Sequence, residues 1–212
     1  MTHRERMLSA FNFNNPDRMP VYYHASPAGL YTHGQKLLDL FNKYPPDNYI
    51  MFDTIPRPSV ESIDENGNYH EVKTDLWGVD WEYRIFGVQG HPLNCPLADW
   101  SKLNDFKFPD LPDFDKDLIA ETKKDYLAKA DLGISLFERA QALHGFEATL
   151  IDAVSLEPDF VKLTDMLVEW YSTLIAKAAI AGVEWFTIGD DWGTQNSLLI
   201  PPDFFRTFYK PR

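Results

Sequence analysis

The thirteen residues Val183-Glu184-Trp185-Phe186-Thr187-Ile188-Gly189-Asp190-Asp191-Trp192-Gly193-Thr194-Gln195 constrain the fold of this chain more than any other stretch. An apolar run rich in β-branched and aromatic residues stops abruptly at a Gly, two carboxylates, a Trp and a second Gly. A run of this kind fits a strand buried on both faces, as in a parallel sheet. The long helical pattern before it, Pro158 to Ala181, ends at Gly182, a helix-stop signal. A helix handing over to a buried strand through one Gly is half of a βαβ unit. Polar residues just past the C-terminal end of such a strand lie where α/β folds place their ligands. Asp190 and Asp191 are therefore the first candidates for chemistry. The alternative is that they cap the next turn and solvate a loop.

Composition narrows the partners. With 212 residues, 44% of them hydrophobic, the chain can bury a core. A net charge of −12 argues against nucleic acid and against anionic membrane, since polyanions are bound by basic surface. No stretch approaches the roughly 20 apolar residues of a membrane span. The single cysteine, Cys95, excludes an internal disulfide framework and suits a reducing cytoplasm. The N-terminus, Met1 to Arg6, leads into an amphipathic stretch and does not read as a signal peptide. A soluble, acidic, cytoplasmic protein is expected.

In chain order, Thr2 is the expected N-cap of a short first helix with Met7, Leu8, Ala10 and Phe11 on its apolar face. Asn14 to Asp17 is a turn cluster. Arg18 to Tyr23 reads as a first strand with Pro20 at its entry. A loop from His24 to Tyr31 and a helix from His33 to Asn42 follow. Asn48 to Phe52 is a second buried strand ending in Asp53. Between Glu61 and Trp100 the pattern changes to alternating antiparallel strands, Tyr69–Thr74 and Trp81–Gly87, with a hairpin turn at Glu65-Asn66-Gly67-Asn68. The acidic, Pro-containing run Leu103–Asp117 lacks the spacing of a calcium loop and reads as a linker. Helical pattern from Asp117 to Ala130, a third strand from Leu132 to Phe137 ending in Glu138-Arg139, and helical pattern from Ala140 to Val154 lead to the long helix. A last helix spans Pro201 to Phe208. Strands separated by helices, with carboxylates at strand ends, favour an α/β barrel. No G-x-G-x-x-G and no Walker loop is present. About four barrel-type strands are legible, whereas a closed (β/α)₈ barrel takes about 250 residues. The expectation is the N-terminal part of a barrel with an antiparallel insertion at about 61–100. Its open sheet edge is a possible route to a homo-oligomer.

Several motifs resemble the uroporphyrinogen decarboxylase (URO-D) superfamily, which also holds methyltransferases that move methyl groups from corrinoid proteins to thiols. Gly189-Asp190-Asp191-Trp192-Gly193, Ile200-Pro201-Pro202-Asp203-Phe204-Phe205 and Phe208-Tyr209-Lys210-Pro211-Arg212 are similar to its Asp-Ser-Trp-Ala-Gly…Ser-Pro…Phe…Pro-Tyr pattern. Asp190 takes the place of the first Asp, and Asp191 that of the Ser. The strands at Arg18–Val21 and Phe52-Asp53, and Glu138-Arg139 followed by His144-Gly145-Phe146-Glu147, resemble the superfamily's uncharacterised, methyltransferase-like branches. The resemblance implies a (β/α)₈ barrel enzyme acting on a small molecule. It implies Asp53, Asp190 and Asp191 as catalytic groups and Tyr31 beside the substrate. From position alone, Arg139 past the third strand is placed to meet an anionic group, His24 flanks the first βα loop, where it faces a substrate or is a plain loop residue, and Trp192 lines an apolar pocket or belongs to the core.

The departures favour one branch. Decarboxylases carry Arg-Gln-Ala-Gly-Arg-Tyr after the first strand and clamp a tetrapyrrole octacarboxylate with those arginines. Here the stretch reads Ser26-Pro27-Ala28-Gly29-Leu30-Tyr31, and Leu cannot mimic bidentate recognition of a carboxylate. Methyl transfer to a thiol is the better fit, with uroporphyrinogen decarboxylation as the alternative and a non-catalytic assembly role as a third reading. The methyltransferase branch implies a corrinoid protein as partner. It also implies zinc, which makes a thiolate of the acceptor, held by a His-x-Cys and a later Cys in the C-terminal half of the barrel. This sequence contains no His-x-Cys. His91 and Cys95 alone make no zinc site.

Overall fold

The computed structural model describes residues 1–24, 26–48 and 53–212. The expected strand at Asn48–Phe52 lies outside the described residues except for Asn48. The described chain is mixed α/β, with two small sheets and no closed barrel.

Helix α1, His3–Phe11, starts where the sequence says it should. Thr2 Oγ1 accepts the N–H of Glu5 at 3.1 Å, and the Glu5 carboxylate accepts the N–H of Thr2 at 2.8 Å, a complete capping box. The expected strand at Arg18–Tyr23 does not form. The N–H of Val21 goes to the Asp47 carboxylate (2.7 Å) and that of Tyr23 to the Asn48 side chain (3.2 Å), so side chains take donors that a ladder would use. The expected loop after it is already helical: Ser26 caps α2, Pro27–His33, with Pro27 in the first turn. Gly34, at φ 60°, separates α2 from α3, Gln35–Lys43, where one helix was expected.

The antiparallel insertion is present. Strands β1 (Glu71–Thr74), β2 (Asp80–Tyr83) and β3 (His91–Pro92) form a sheet in the order β1-β2-β3. Gly67, at φ 82°, turns the chain into the bridge between Ile63 and Tyr69, as the Asn-Gly-Asn signal anticipates. The insertion is no appendage, because Trp77, Val79 and Leu97 are buried within the main core. A 3₁₀ turn at Trp100–Asp105 and helix α4, Lys116–Thr122, capped by Asp115, bracket the acidic run.

Strand β4 spans Lys129–Ile134, three residues earlier than expected, because α4 stops at Thr122. Helices α5 (Phe137–His144) and α6 (Phe146–Ser155) replace one expected helical block. They part at Gly145, whose φ of 104° a β-carbon would strain. Helix α7, Pro158–Ala181, matches its expected bounds, with Pro158 in its first turn and Gly182 as left-handed C-cap. It buries Phe160, Leu163, Leu167, Tyr171, Leu174 and Ala178, one helical stripe facing the core. Strand β5, Trp185–Ile188, pairs with β4 in parallel, Lys129 opposite Trp185 and Ile134 opposite Ile188, with a register shift between Ala130 and Ile134. The expectation that β5 is buried on both faces fails at its end. Thr187 and Ile188 are exposed, since the described sheet has only two strands and no second layer of described residues covers them. The chain then forms α8, Pro202–Phe204, and a π turn at Phe205–Tyr209. No described helix is long and apolar enough to cross a membrane.

Candidate functional site

Both parallel strands run toward one cavity of about 540 Å³ at their C-terminal ends. Ser135, Glu138 and Arg139 follow β4 into its wall, and Gly189, Asp190 and Asp191 follow β5. Trp81 of β2 and Gln89 close it from the insertion side, and Asp131 lines it from β4. Residues past the ends of the two parallel strands thus lie at one cavity.

Asp190 is placed by a link between the two strand ends. Its Oδ2 accepts the N–H groups of Leu136 (2.8 Å) and Phe137 (2.9 Å). Its Oδ1 accepts those of Phe137 (3.1 Å) and Glu138 (2.9 Å). These are the orphan donors at the start of α5, which has no side-chain cap of its own. Asp190 therefore caps a helix, though one 53 residues earlier in sequence and not the turn that follows it. Burial pushes its carboxyl above the ordinary range, and the backbone N–H bonds oppose that rise. Asp191 stays exposed and accepts the N–H of Gly193 at 3.2 Å. Trp192 turns away from the cavity and stacks flat on Phe137, ring centroids 4.8 Å apart at 2°. It lines a second, largely apolar cavity of about 570 Å³ between β5, α7 and the π turn, which also reaches Asp190.

Arg139 lines the first cavity but is already engaged. Its Nη1 donates to Asp75 Oδ2 at 3.0 Å, and its guanidinium lies 4.8 Å from the centre of the Trp77 ring. Its Nε is buried with no hydrogen-bond partner among the described residues. A carboxylate from the insertion thus already meets the cation expected to meet substrate.

The remaining expected site residues lie elsewhere. His24 Nε2 is 2.6 Å from the hydroxyl of Tyr22, to which Lys129 Nζ donates at 3.0 Å, an exposed group at the N-terminal end of β4. Tyr31 packs edge-on against Phe86 and lines a separate shallow pocket with Arg57 and Asp64. Asp53 is exposed. None of the three lines the cavity that holds Asp190.

Glu138 is the group that sequence reasoning passed over as a site residue. Its carboxyl lines the same cavity as Asp190 and Asp191. Partial burial, and next the charges of Asp190 and Asp191, push its carboxyl up. The signal was there, because Glu138 sits beside Arg139 at the strand end. Trp81 and Gln89 carried no signal, since only the tertiary fold brings the insertion against β4.

A zinc site does not fit the described residues, in which no group of three or more His, Cys, Asp or Glu is placed to hold a metal. His91 Nε2 lies 2.9 Å from Glu82. Cys95 packs beside Gly145, and burial raises its thiol away from the thiolate form that a metal takes.

Comparison with protein-family models, with curated proteins and with solved structures found no match for this chain.

Proposed function

We propose that the described βα units are one sector of a (β/α)₈ barrel of the URO-D type, and that the protein transfers a methyl group from a corrinoid protein to a thiol. One observation carries this reading. Glu138 and Arg139 after β4, and Asp190 and Asp191 after β5, meet at one cavity at the C-terminal ends of neighbouring parallel strands. The motif resemblance falls on the same residues.

A thiol must lose its proton to become a good nucleophile. Glu138 is the base in this scheme. Its raised proton affinity brings it closer to neutral pH, where a general base is most effective. Asp190 holds the start of α5, and with it Glu138, at the cavity wall. Asp191 lines the same wall, and its charge adds to the rise in the Glu138 carboxyl. Arg139 keeps α5 against the insertion through Asp75 and Trp77. Tetrapyrrole decarboxylation is the weaker reading, because the one cation among the described lining residues is paired with Asp75, leaving no clamp for a polycarboxylate.

The test is Glu138→Gln in the product of the complete gene, assayed for methyl transfer to a thiol. The expected result is a loss of about 10²–10⁴ in kcat/KM, with disappearance of the rise in rate with pH that deprotonation of Glu138 produces. Unchanged rates and pH profile would remove Glu138 from the chemistry.

A further inference from the structure

The walls of the strand-end cavity specify the charge of what it binds. Four acidic residues line it, Asp131, Glu138, Asp190 and Asp191, against one basic residue among the described lining, Arg139. That cation offsets them only in part. Its guanidinium is held by Asp75 at 3.0 Å and lies over the Trp77 face, both outside the lining. Asp190 accepts three N–H groups at the start of α5 yet still acts on Glu138, so Asp190 joins Asp131, Glu138 and Asp191 in setting the sign of the field. A second feature is independent of charge. Trp81 forms part of the wall, and its indole is fixed by an N–H bond to Asp75 Oδ2 at 3.0 Å. An anchored indole beside carboxylates, in a cavity of about 540 Å³, is the combination that binds alkylated ammonium groups by cation–π and charge attraction together.

We infer that the site takes a substrate bearing an amine or alkylammonium group, which it seats between Trp81 and the carboxylates of Glu138 and Asp191. The inference rests on reading this cavity as the substrate site. It goes beyond the proposed reaction, which specifies a thiol acceptor but no charge elsewhere on the substrate. The same field repels an anionic group brought to the same place.

Tetramethylammonium is the probe, with pivalate as its anionic and neopentyl alcohol as its neutral counterpart of similar shape. Each is titrated into the ¹⁵N-labelled chain, and the indole N–H signal of Trp81, assigned by its absence in Trp81→Phe, is followed by NMR. The expected result is a saturable shift with tetramethylammonium at roughly millimolar Kd, at least tenfold weaker binding of the two counterparts, and at least fivefold weakening by Glu138→Gln with Asp191→Asn. Backbone spectra of the variant establish that it remains folded. Equal or tighter binding of pivalate, no saturable shift, or binding unaffected by the double substitution in a folded chain overturns the inference. Ammonium binding without methyl transfer by the whole gene product overturns the proposed reaction alone. Methyl transfer without ammonium binding overturns this inference alone.

Discussion

Replacing Asp47 with Asn tests the part of the fold that the sequence made least visible. The Asp47 side chain is fully buried. It accepts from Arg6 Nη1 (2.6 Å), from Arg18 Nη1 and Nη2 (2.8 and 3.0 Å) and from the N–H of Val21 (2.7 Å), and it lies 2.9 Å from His3 Nδ1. Burial alone would raise its carboxyl, but the bonds from Val21, Arg6, Arg18 and His3 outweigh it and hold the pKa at about 2, against an ordinary 3.8. At about 1.4 kcal/mol per pKa unit, that depression stabilises the folded chain by about 2 kcal/mol at neutral pH. Asn also turns an N–H₂ toward these donors and leaves Arg6, only 8% exposed at its side chain, with Asp17 alone for its charge. Breaking a buried ion pair costs about 3–5 kcal/mol. Because Asp17 remains, the lower end applies, about 3 kcal/mol. In a chain of this length that lowers Tm by about 6–12 °C. The sign follows from the direction of the shift. A depressed carboxyl contributes its stability fully above the unfolded pKa and loses it as pH falls toward the folded one. The difference between wild type and Asp47→Asn should therefore shrink by about 1 kcal/mol between pH 7 and pH 3. Urea unfolding followed by circular dichroism at both pH values measures this. A destabilisation below about 1 kcal/mol, or one equally large at pH 3, would refute the reasoning.

Two further outcomes follow from named contacts. Asp190→Asn puts an N–H₂ against the N–H groups that start α5 and should cost about 1–2 kcal/mol in urea unfolding. Because the Asp190 carboxyl is raised, its contribution is present below the unfolded pKa and is lost as pH rises through the folded one. The wild type should therefore lose stability on that rise, and the variant should not. His144→Leu removes a buried ring that lies 2.7 Å from the Leu97 carbonyl and 2.9 Å from Asp152 and stacks on Trp100 at 3.8 Å. It should cost about 2–4 kcal/mol by leaving both oxygens without that partner, with a change in Trp fluorescence as Trp100 is released. Retention of wild-type stability and emission would show the stack to be incidental.

What the sequence disclosed follows from how local each signal is. Helix α7 was legible at both ends because Pro158, Gly182 and an apolar stripe of helical period all lie within the segment. The capping box of α1 and the turn at Gly67 are equally local. The strand expected at Arg18–Tyr23 failed because its donors are taken by Asp47 and Asn48, more than twenty residues away, which no local pattern records. Strand β4 shifted because α4 ended early, and an apolar run does not state where a strand enters a sheet. In the site, Asp190 and Asp191 were found from the abrupt end of one strand, and Arg139 from the end of another. That Arg139 would be engaged by Asp75, and that Trp81 would complete the wall, depends on the insertion folding back, and periodicity says nothing of that. Tyr31 and Asp53 were singled out through a resemblance to segments after the first and second barrel strands, and His24 by its place after the first expected strand. Of those two strands, the first does not form here and the second lies largely outside the described residues.

The most direct measurement is methyl transfer by the product of the complete gene, from a methylated corrinoid protein to a thiol, with wild type and Glu138→Gln side by side. The account predicts a methylated thiol from the wild type and a rate lower by about 10²–10⁴ in the variant. Carbon dioxide release from a tetrapyrrole acid, with no thiol methylated, would contradict it.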